Sequence, residues 1–272
     1  MRIVIPHYAK GNIDMRTSYF LLAIVFFLQA SCITTENFKI EHQVTGPIET
    51  NCYLVYGIKS KEAALIDPGG AVDTLVNFIK SNDLKLKYIF ITHGHIDHVF
   101  GIPSIKDLFS KAILCMHRDE YRDLFTQKEW AIKNYGPEWL AEVKSNPQTA
   151  RFLDFDMGLL GKPDIFVEDN QVFRVGLIEL RAIHCPGHSP GGICYSIGSI
   201  LFSGDVLFHR TVGRTDTQNG SREAQIASVK KVYELYPDST KVYPGHGKFT
   251  DIGSEKKENS RIRVDGGDWL DE

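Results

Sequence analysis

His93-Gly94-His95-Ile96-Asp97-His98 stands directly after the apolar run Tyr88-Ile89-Phe90-Ile91-Thr92, so four potential ligands leave the end of one expected strand together. Neutral imidazole and carboxylate are donors that zinc, iron and manganese accept. No thiolate stands among them, which leaves positions for water and substrate and points to a catalytic rather than a structural site. In an extended backbone residues 93, 95 and 97 would point one way and His98 the other, so one stretch of chain could serve two adjacent metals. The competing reading is a chance cluster of histidines capping a strand.

Three further residues weigh against chance. His188 in Pro186-Gly187-His188-Ser189-Pro190-Gly191-Gly192, Asp205 in Phe202-Ser203-Gly204-Asp205 and His246 in Tyr243-Pro244-Gly245-His246-Gly247 each follow an expected strand in a glycine-rich turn. Glycine lets backbone approach a bound group closely, and turns at strand ends are where sheet-based enzymes place their chemistry.

From Phe38 onward short β-rich runs alternate with amphipathic stretches, and no linker divides the chain into two compositional halves. Strands are expected at residues 52–56, 63–66, 88–92, 113–116, 178–183, 193–197, 200–203 and 241–243. Val72, Leu75, Val76 and Ile79 fall at helical spacing, as do Ile226, Val229, Val232, Tyr233 and Tyr236 after Ser221, a fitting N-cap. Residues 121–163 read as a helical excursion from the sheet core, carrying Trp130, Tyr135, Trp139, Phe152 and Phe155. They predict either a wall over a substrate pocket or a helix packed on its own domain.

The 272 residues carry a formal net charge of −3, which gives no global basic field and argues against a nucleic-acid partner. The five cysteines are widely spaced, without a C-x-x-C pair, and read mostly as small buried hydrophobes. Near the N-terminus, Met15 and Arg16 precede the apolar run Tyr19 to Leu28, too short to span a bilayer but suited to a signal-peptide core. Leu28-Gln29-Ala30-Ser31-Cys32 resembles a bacterial lipoprotein processing site, with Gln29 departing from the usual pattern. Residues 1–32 are therefore expected to be a leader, with Met15 the true start, and 33–272 a single domain that is exported and lipid-anchored at Cys32 or periplasmic. A buried N-terminal strand or helix, in a cytoplasmic protein, is the alternative.

The ligand order from His93 to His246 resembles that of the metallo-β-lactamase superfamily, over about residues 38–263. Within it, Leu65-Ile66-Asp67-Pro68-Gly69-Gly70, the Cys185 to Gly192 segment and Val212-Gly213-Arg214-Thr215-Asp216 resemble glyoxalase II and its shorter bacterial relatives. The resemblance implies an α/β fold, a four-layer αββα sandwich, holding two divalent metals, zinc first, with iron or manganese as alternatives. It assigns His93, His95 and His188 to one metal, Asp97, His98 and His246 to the other, Asp205 to the bridge between them, and Asp67 to orienting a ligand. Asp97 and Asp205 would be the catalytic carboxylates. Arg214 and Lys248 are candidates for meeting a substrate carboxylate.

Two dications would deprotonate a bridging water near neutral pH beside a carbonyl that one of them polarises. A thiolate, whose conjugate acid has a pKa of about 8.5, leaves without a strong general acid, so a small-molecule thioester is the expected substrate. Glyoxalase II carries a C-terminal helical domain with basic glutathione-binding residues, whereas only residues 247–272 follow His246 here. The thiol therefore stays open. β-Lactamases of this fold place a noncarboxylate group where Asp205 stands, so the fold alone does not imply antibiotic hydrolysis. Two other functions remain open: a mononuclear-iron persulfide dioxygenase, which shares the Gly213 to Asp216 segment, and an exported metal-binding lipoprotein without catalysis.

Overall fold

The computed structural model describes residues 38–262; the leader and the Cys32 processing site lie outside the described residues. The first sheet consists of β1 (Phe38–Thr45), β2 (Thr50–Gly57), β3 (Glu62–Ile66), β4 (Lys85–Phe90), β5 (Ile113–His117) and β6 (Ile165–Val167), in that spatial order. Its first three strands are antiparallel and the rest run parallel from β3 to β6. The second sheet takes β7 (Val172–Val175), β8 (Ile178–His184), β9 (Ile193–Ile197) and β10 (Ile200–Gly204). A small ribbon of β11 (Leu207–Phe208) and β12 (Thr211–Val212) follows, and β13 (Lys241–Pro244) and β14 (Thr250–Asp251) complete the order β14-β13-β10-β9-β8-β7.

The alternation of side chains along β2 builds the layers. Cys52, Leu54 and Tyr56 face one way and Tyr53 and Val55 the other, and all five are buried. The first set packs under α1 (Asp73–Ser81), through Leu75, Val76 and Ile79, with Val99 of α2 (Ile96–Val99) and Ile102 and Ile105 of α3 (Ile102–Leu108). The second set meets the other sheet through Phe173, Leu180, Tyr195 and Phe202. Phe90 anchors this middle layer, 4.9 Å from both the Phe173 and the Tyr195 ring.

Short helices α4 (Arg118–Asp123), α5 (Gln127–Ser145) and α6 (Pro147–Leu153) then run between β5 and β6. The outer face of the second sheet is covered by α7 (Arg222–Leu235), whose Val229, Val232 and Tyr233 pack on Leu201 and Val242, and by Ile252 of α8 (Ile252–Glu258). The expected αββα sandwich is thus the observed one: helices, sheet, sheet, helices. Each fully buried leucine or isoleucine in these layers contributes about 1.5–3 kcal/mol by transfer from water.

Several boundaries differ from expectation. β4 begins at Lys85, three residues early, because exposed Lys85 and half-buried Lys87 flank buried Leu86 and hide the strand's start from a hydrophobic pattern. Ser221 does cap α7, its hydroxyl accepting from Ala224 N at 3.3 Å. The longest helix of the excursion expected over residues 121–163 is α5, broken at Gly136 (φ 82°), where Pro137 follows. The four described cysteines are buried and free.

Candidate metal centre

The chain leaves the C-terminal ends of β4, β8, β10 and β13 into the loops that carry the four segments singled out in the sequence. Open α/β sheets place their ligands at such ends. His93, His95 and His188 bring ligand atoms within 4.8 Å of one another, as do Asp97, His98 and His246, and a third group of His93, His98 and Asp205 joins the two triads. Asp205 Oδ2 lies 3.4 Å from His188 Nε2 and 3.7 Å from His246 Nε2, and Oδ1 lies 3.6 Å from His98 Nε2. One carboxylate therefore faces both triads.

The geometry within 93–98 is not the extended alternation expected. The chain turns at His95 (φ −64°, ψ 145°) into the helical turn α2, so Asp97 and His98 project as neighbours on a helix and both reach the same triad. The helical turn is held by His95 O accepting from His98 N at 2.9 Å. Close packing demands glycine nearby: a Cβ at Gly245 would overlap Asp205 Oδ1 and lie 2.9 Å from His98 Cε1.

Hydrogen bonds behind the histidines fix which nitrogen faces inward. Thr92 Oγ1 gives its one proton to Asp67 Oδ2 at 2.6 Å, so it accepts from His93 Nδ1–H at 3.1 Å. His98 Nδ1–H donates to Asp67 Oδ2 at 3.0 Å, His188 Nδ1–H to Arg214 O at 2.7 Å and His246 Nδ1–H to Ile48 O at 3.0 Å. Each of these four rings then turns an Nε2 lone pair toward the centre. His98 Nε2 and His246 Nε2 stand 3.2 Å apart, and His188 Nε2 stands 2.8 Å from His95 Nδ1. The facing lone pairs of His98 and His246 repel unless a proton or a cation lies between them. Buried His93 Nε2 and Asp205 Oδ1 have no hydrogen-bond partner at all, a state that costs about 1–3 kcal/mol per atom unless something else satisfies it. The donor set, all imidazole and carboxylate with outward N–H groups anchored, fits divalent metal ions.

Protons distinguish the two triads. Burial, with help from neighbouring imidazoles, holds His93 well below the ordinary histidine range, His95 at about 3 and His188 at about 4. Burial also opposes charge on His98 and His246, but Asp97 and Asp205, with Asp67 at His98, outweigh it and raise both. Burial would raise Asp97, yet His98 and His246 keep it well below the usual carboxylate range. Thr50 Oγ1 also donates to Asp97 Oδ2 at 3.0 Å.

Sequence reading missed two supports. Glu120 on α4, 2% exposed, accepts from Gly94 N and from Gly191 N, each at 2.6 Å, and so ties the loop of His93 and His95 to the loop of His188. Gln225 on α7, fully buried, accepts from His188 N at 2.8 Å and donates to Asp205 O and Val206 O at 3.2 and 2.9 Å. Both stand in helices among charged neighbours, where a buried acid or amide looks like any surface one. The weak available signal was that Glu120 falls only three residues after a strand end.

The centre opens into a cleft of about 600 Å³, one wall of which is formed by Trp130, Tyr135 and Trp139 of α5. The excursion therefore provides a pocket wall, while Phe152 and Phe155 pack against Phe100 beneath it. Arg214 lines the cleft, but its guanidinium is already forked onto Asp216 at 2.6 and 2.6 Å and lies over the Tyr135 ring. Lys248 is exposed and does not line the cleft.

The chain belongs to the metallo-β-lactamase superfamily, whose family model matches residues 45–246. The hydroxyacylglutathione hydrolase GloC of Haemophilus influenzae is 31% identical over 214 residues, covering 78% of this chain and 92% of that protein. Among solved structures, the BLEG-1 B3 metallo-β-lactamase matches with a TM-score of 0.64 and 31% identity, over 82% of this chain and 98% of that one. ETHE1 from Myxococcus xanthus matches with a TM-score of 0.64 and 26% identity, over 82% and 84%. TTHA1623, in a di-iron-bound form, matches with a TM-score of 0.63 and 27% identity, over 82% and 100%.

Proposed function

We propose that this metallo-hydrolase superfamily member hydrolyses the thioester of a small thiol, as glyoxalase II does, with two divalent cations, zinc first. The observation that carries the reading is the pair of complete triads, with imidazole nitrogens 3.2 and 2.8 Å apart within them, on either side of Asp205. His93, His95 and His188 would hold one ion, Asp97, His98 and His246 the other, and Asp205 both. Such ions would polarise the thioester carbonyl and lower the pKa of the attacking water. The di-iron form of TTHA1623 and the name of GloC favour the same assignment.

The chain's own groups favour a good leaving group. Outside the triads and the Asp205 carboxylate between them, Arg214 and Tyr135 are the ionisable side chains lining the cleft among the described residues. Arg214 is committed to Asp216, and the Tyr135 hydroxyl donates to Asp216 O at 2.9 Å. No acid is left to protonate a departing amine, whereas a thiolate departs without one. The aromatic wall excludes water from the bound ester and orients it. Export and attachment through Cys32 belong to the same proposal.

The test is to assay S-lactoylglutathione hydrolysis, persulfide-dependent oxygen uptake and nitrocefin opening side by side, on wild type and His246→Ala, with metals counted. The β-lactam arm is included because BLEG-1 carries that name. Thioester hydrolysis with two metals per chain, falling when His246 is removed, is expected. Oxygen uptake with one iron per chain that survives in His246→Ala, or β-lactam turnover without thioester turnover, would overturn the reading.

A further inference from the structure

A second cavity, of about 190 Å³, opens off the metal cleft, and the two share Ile48, Ile96, Gln127, Ala131 and Trp139 as walls. Its remaining surface includes Val143 of α5, Phe152 and Leu153 of α6, and Met157. Shared walls make it an annex of the centre. Ile96 directly precedes Asp97, and the carbonyl of Ile48 accepts from His246 Nδ1–H, so two of the walls are attached to residues of one triad. Gln127 ties a third to the loop between His93 and His95, donating to Gly94 O at 2.9 Å.

The annex is poor in polar partners. Thr149 lines it, but its hydroxyl donates to Val143 O at 2.7 Å. Lys128, the one charged residue lining it among the described residues, is solvent-exposed. A bound water needs two to four polar partners, so such a space favours an apolar occupant. The cleft in turn offers no uncommitted lysine or arginine among its lining residues, since Arg214 is forked onto Asp216. The cleft itself therefore gives an anionic substrate end no uncommitted cationic side chain, and the annex offers only Lys128 at its exposed rim.

We infer that the annex takes an unbranched apolar chain of the thioester, so that the natural substrate carries a saturated chain of about six carbons. The length follows from the volume, at about 30 Å³ per water-sized group. The inference rests on the thioester reading for its substrate but not for its pocket. Full burial raises binding about fourfold per methylene.

Two series of substrates test it on the metal-loaded full chain: N-acetylcysteamine thioesters with acyl chains of two to ten carbons, and S-alkyl thioacetates of the same lengths. In one series kcat/KM is expected to climb by up to about fourfold per methylene to about six carbons and then level. The rising series tells whether the acyl or the thiol side occupies the annex. Val143→Phe, which narrows the annex away from the metal ligands, should move the break to shorter chains. Flat profiles in both series, or an unmoved break in Val143→Phe, would overturn the inference while leaving thioester hydrolysis standing. Were no thioester cleaved, binding of 1-butanol and 1-hexanol, read by tryptophan fluorescence and thermal shift, still judges the annex. Hexanol should bind about fifteenfold more tightly, a margin lost in Val143→Phe, and equal affinities would refute it.

Discussion

Asp67→Asn is the substitution whose consequences the structure specifies most fully. Asp67 sits at φ 51°, a conformation that asparagine tolerates well, so the exchange leaves the backbone unstrained and isolates the side chain. Its Oδ1 accepts from Thr92 N at 2.7 Å, and its Oδ2 accepts from both Thr92 Oγ1 and His98 Nδ1. An amide can keep the first bond through its oxygen but turns an NH₂ toward two donors. Two hydrogen bonds to a charged acceptor are lost, worth about 1.5–3 kcal/mol each before relaxation, so a fall in stability of about 2–4 kcal/mol is expected. His98 also loses the acceptor that fixes its Nδ1–H, and the ring can present a proton instead of a lone pair to Asp97 and His246. Affinity at that triad should fall about 10- to 100-fold, the usual cost of removing the group that orients a metal-binding histidine. Chelator competition with zinc, together with denaturant unfolding of the metal-free chain, measures the two effects separately. A variant that unfolds at the wild-type denaturant midpoint, or binds its second zinc within threefold of wild type, would refute this account of Asp67.

Asp205→Asn should lower occupancy of both positions and reduce kcat about a hundredfold or more, since one carboxylate faces both triads; elemental analysis and thioester turnover read the two. On acidification the Asp97–His98–His246 triad should release its ion first. Protons and cations compete for the same lone pairs, and His98 and His246 bind protons more readily than ordinary histidines, whereas His95 and His188 resist them down to about 3 and 4. Metal counts that fall together between pH 7 and 5 would contradict this order. Glu120→Gln should cost about 1–3 kcal/mol of stability, because an amide faces either Gly94 N or Gly191 N with another N–H group; thermal unfolding of the metal-free chain checks it. Mass spectrometry of the bacterially expressed chain should find Cys32 as the first residue, and a chain still beginning at Met1 or Met15 would end the export proposal.

What was legible in the sequence is what leaves a local pattern. Strands buried on both faces, such as β2 and β9, appear as continuous apolar runs, and α1 and α7 show their spacing. Donor residues crowded at strand ends are conspicuous because imidazole and carboxylate are otherwise scarce beside apolar runs. The supports behind those donors left no such trace. Gln225 lies 37 residues from His188, and Glu120 is 26 from Gly94 and 71 from Gly191. Nothing local distinguishes either from a solvated helical residue until the fold has brought the loops together.

The same limit governed the one local geometry read wrongly. Alternation along 93–98 assumed that the strand persists, but Asp67 draws Thr92 and His98 together through one carboxylate, and an extended chain could not bring His98 back to it. The turn at His95 is therefore a consequence of a contact 25 and 31 residues away in sequence. Spacing identified which residues could meet a metal. The acceptors behind the rings, Asp67 for His98, Thr92 for His93 and the carbonyls of Arg214 and Ile48 for His188 and His246, decided which nitrogen each would present, and the wall of α5 decided what could approach.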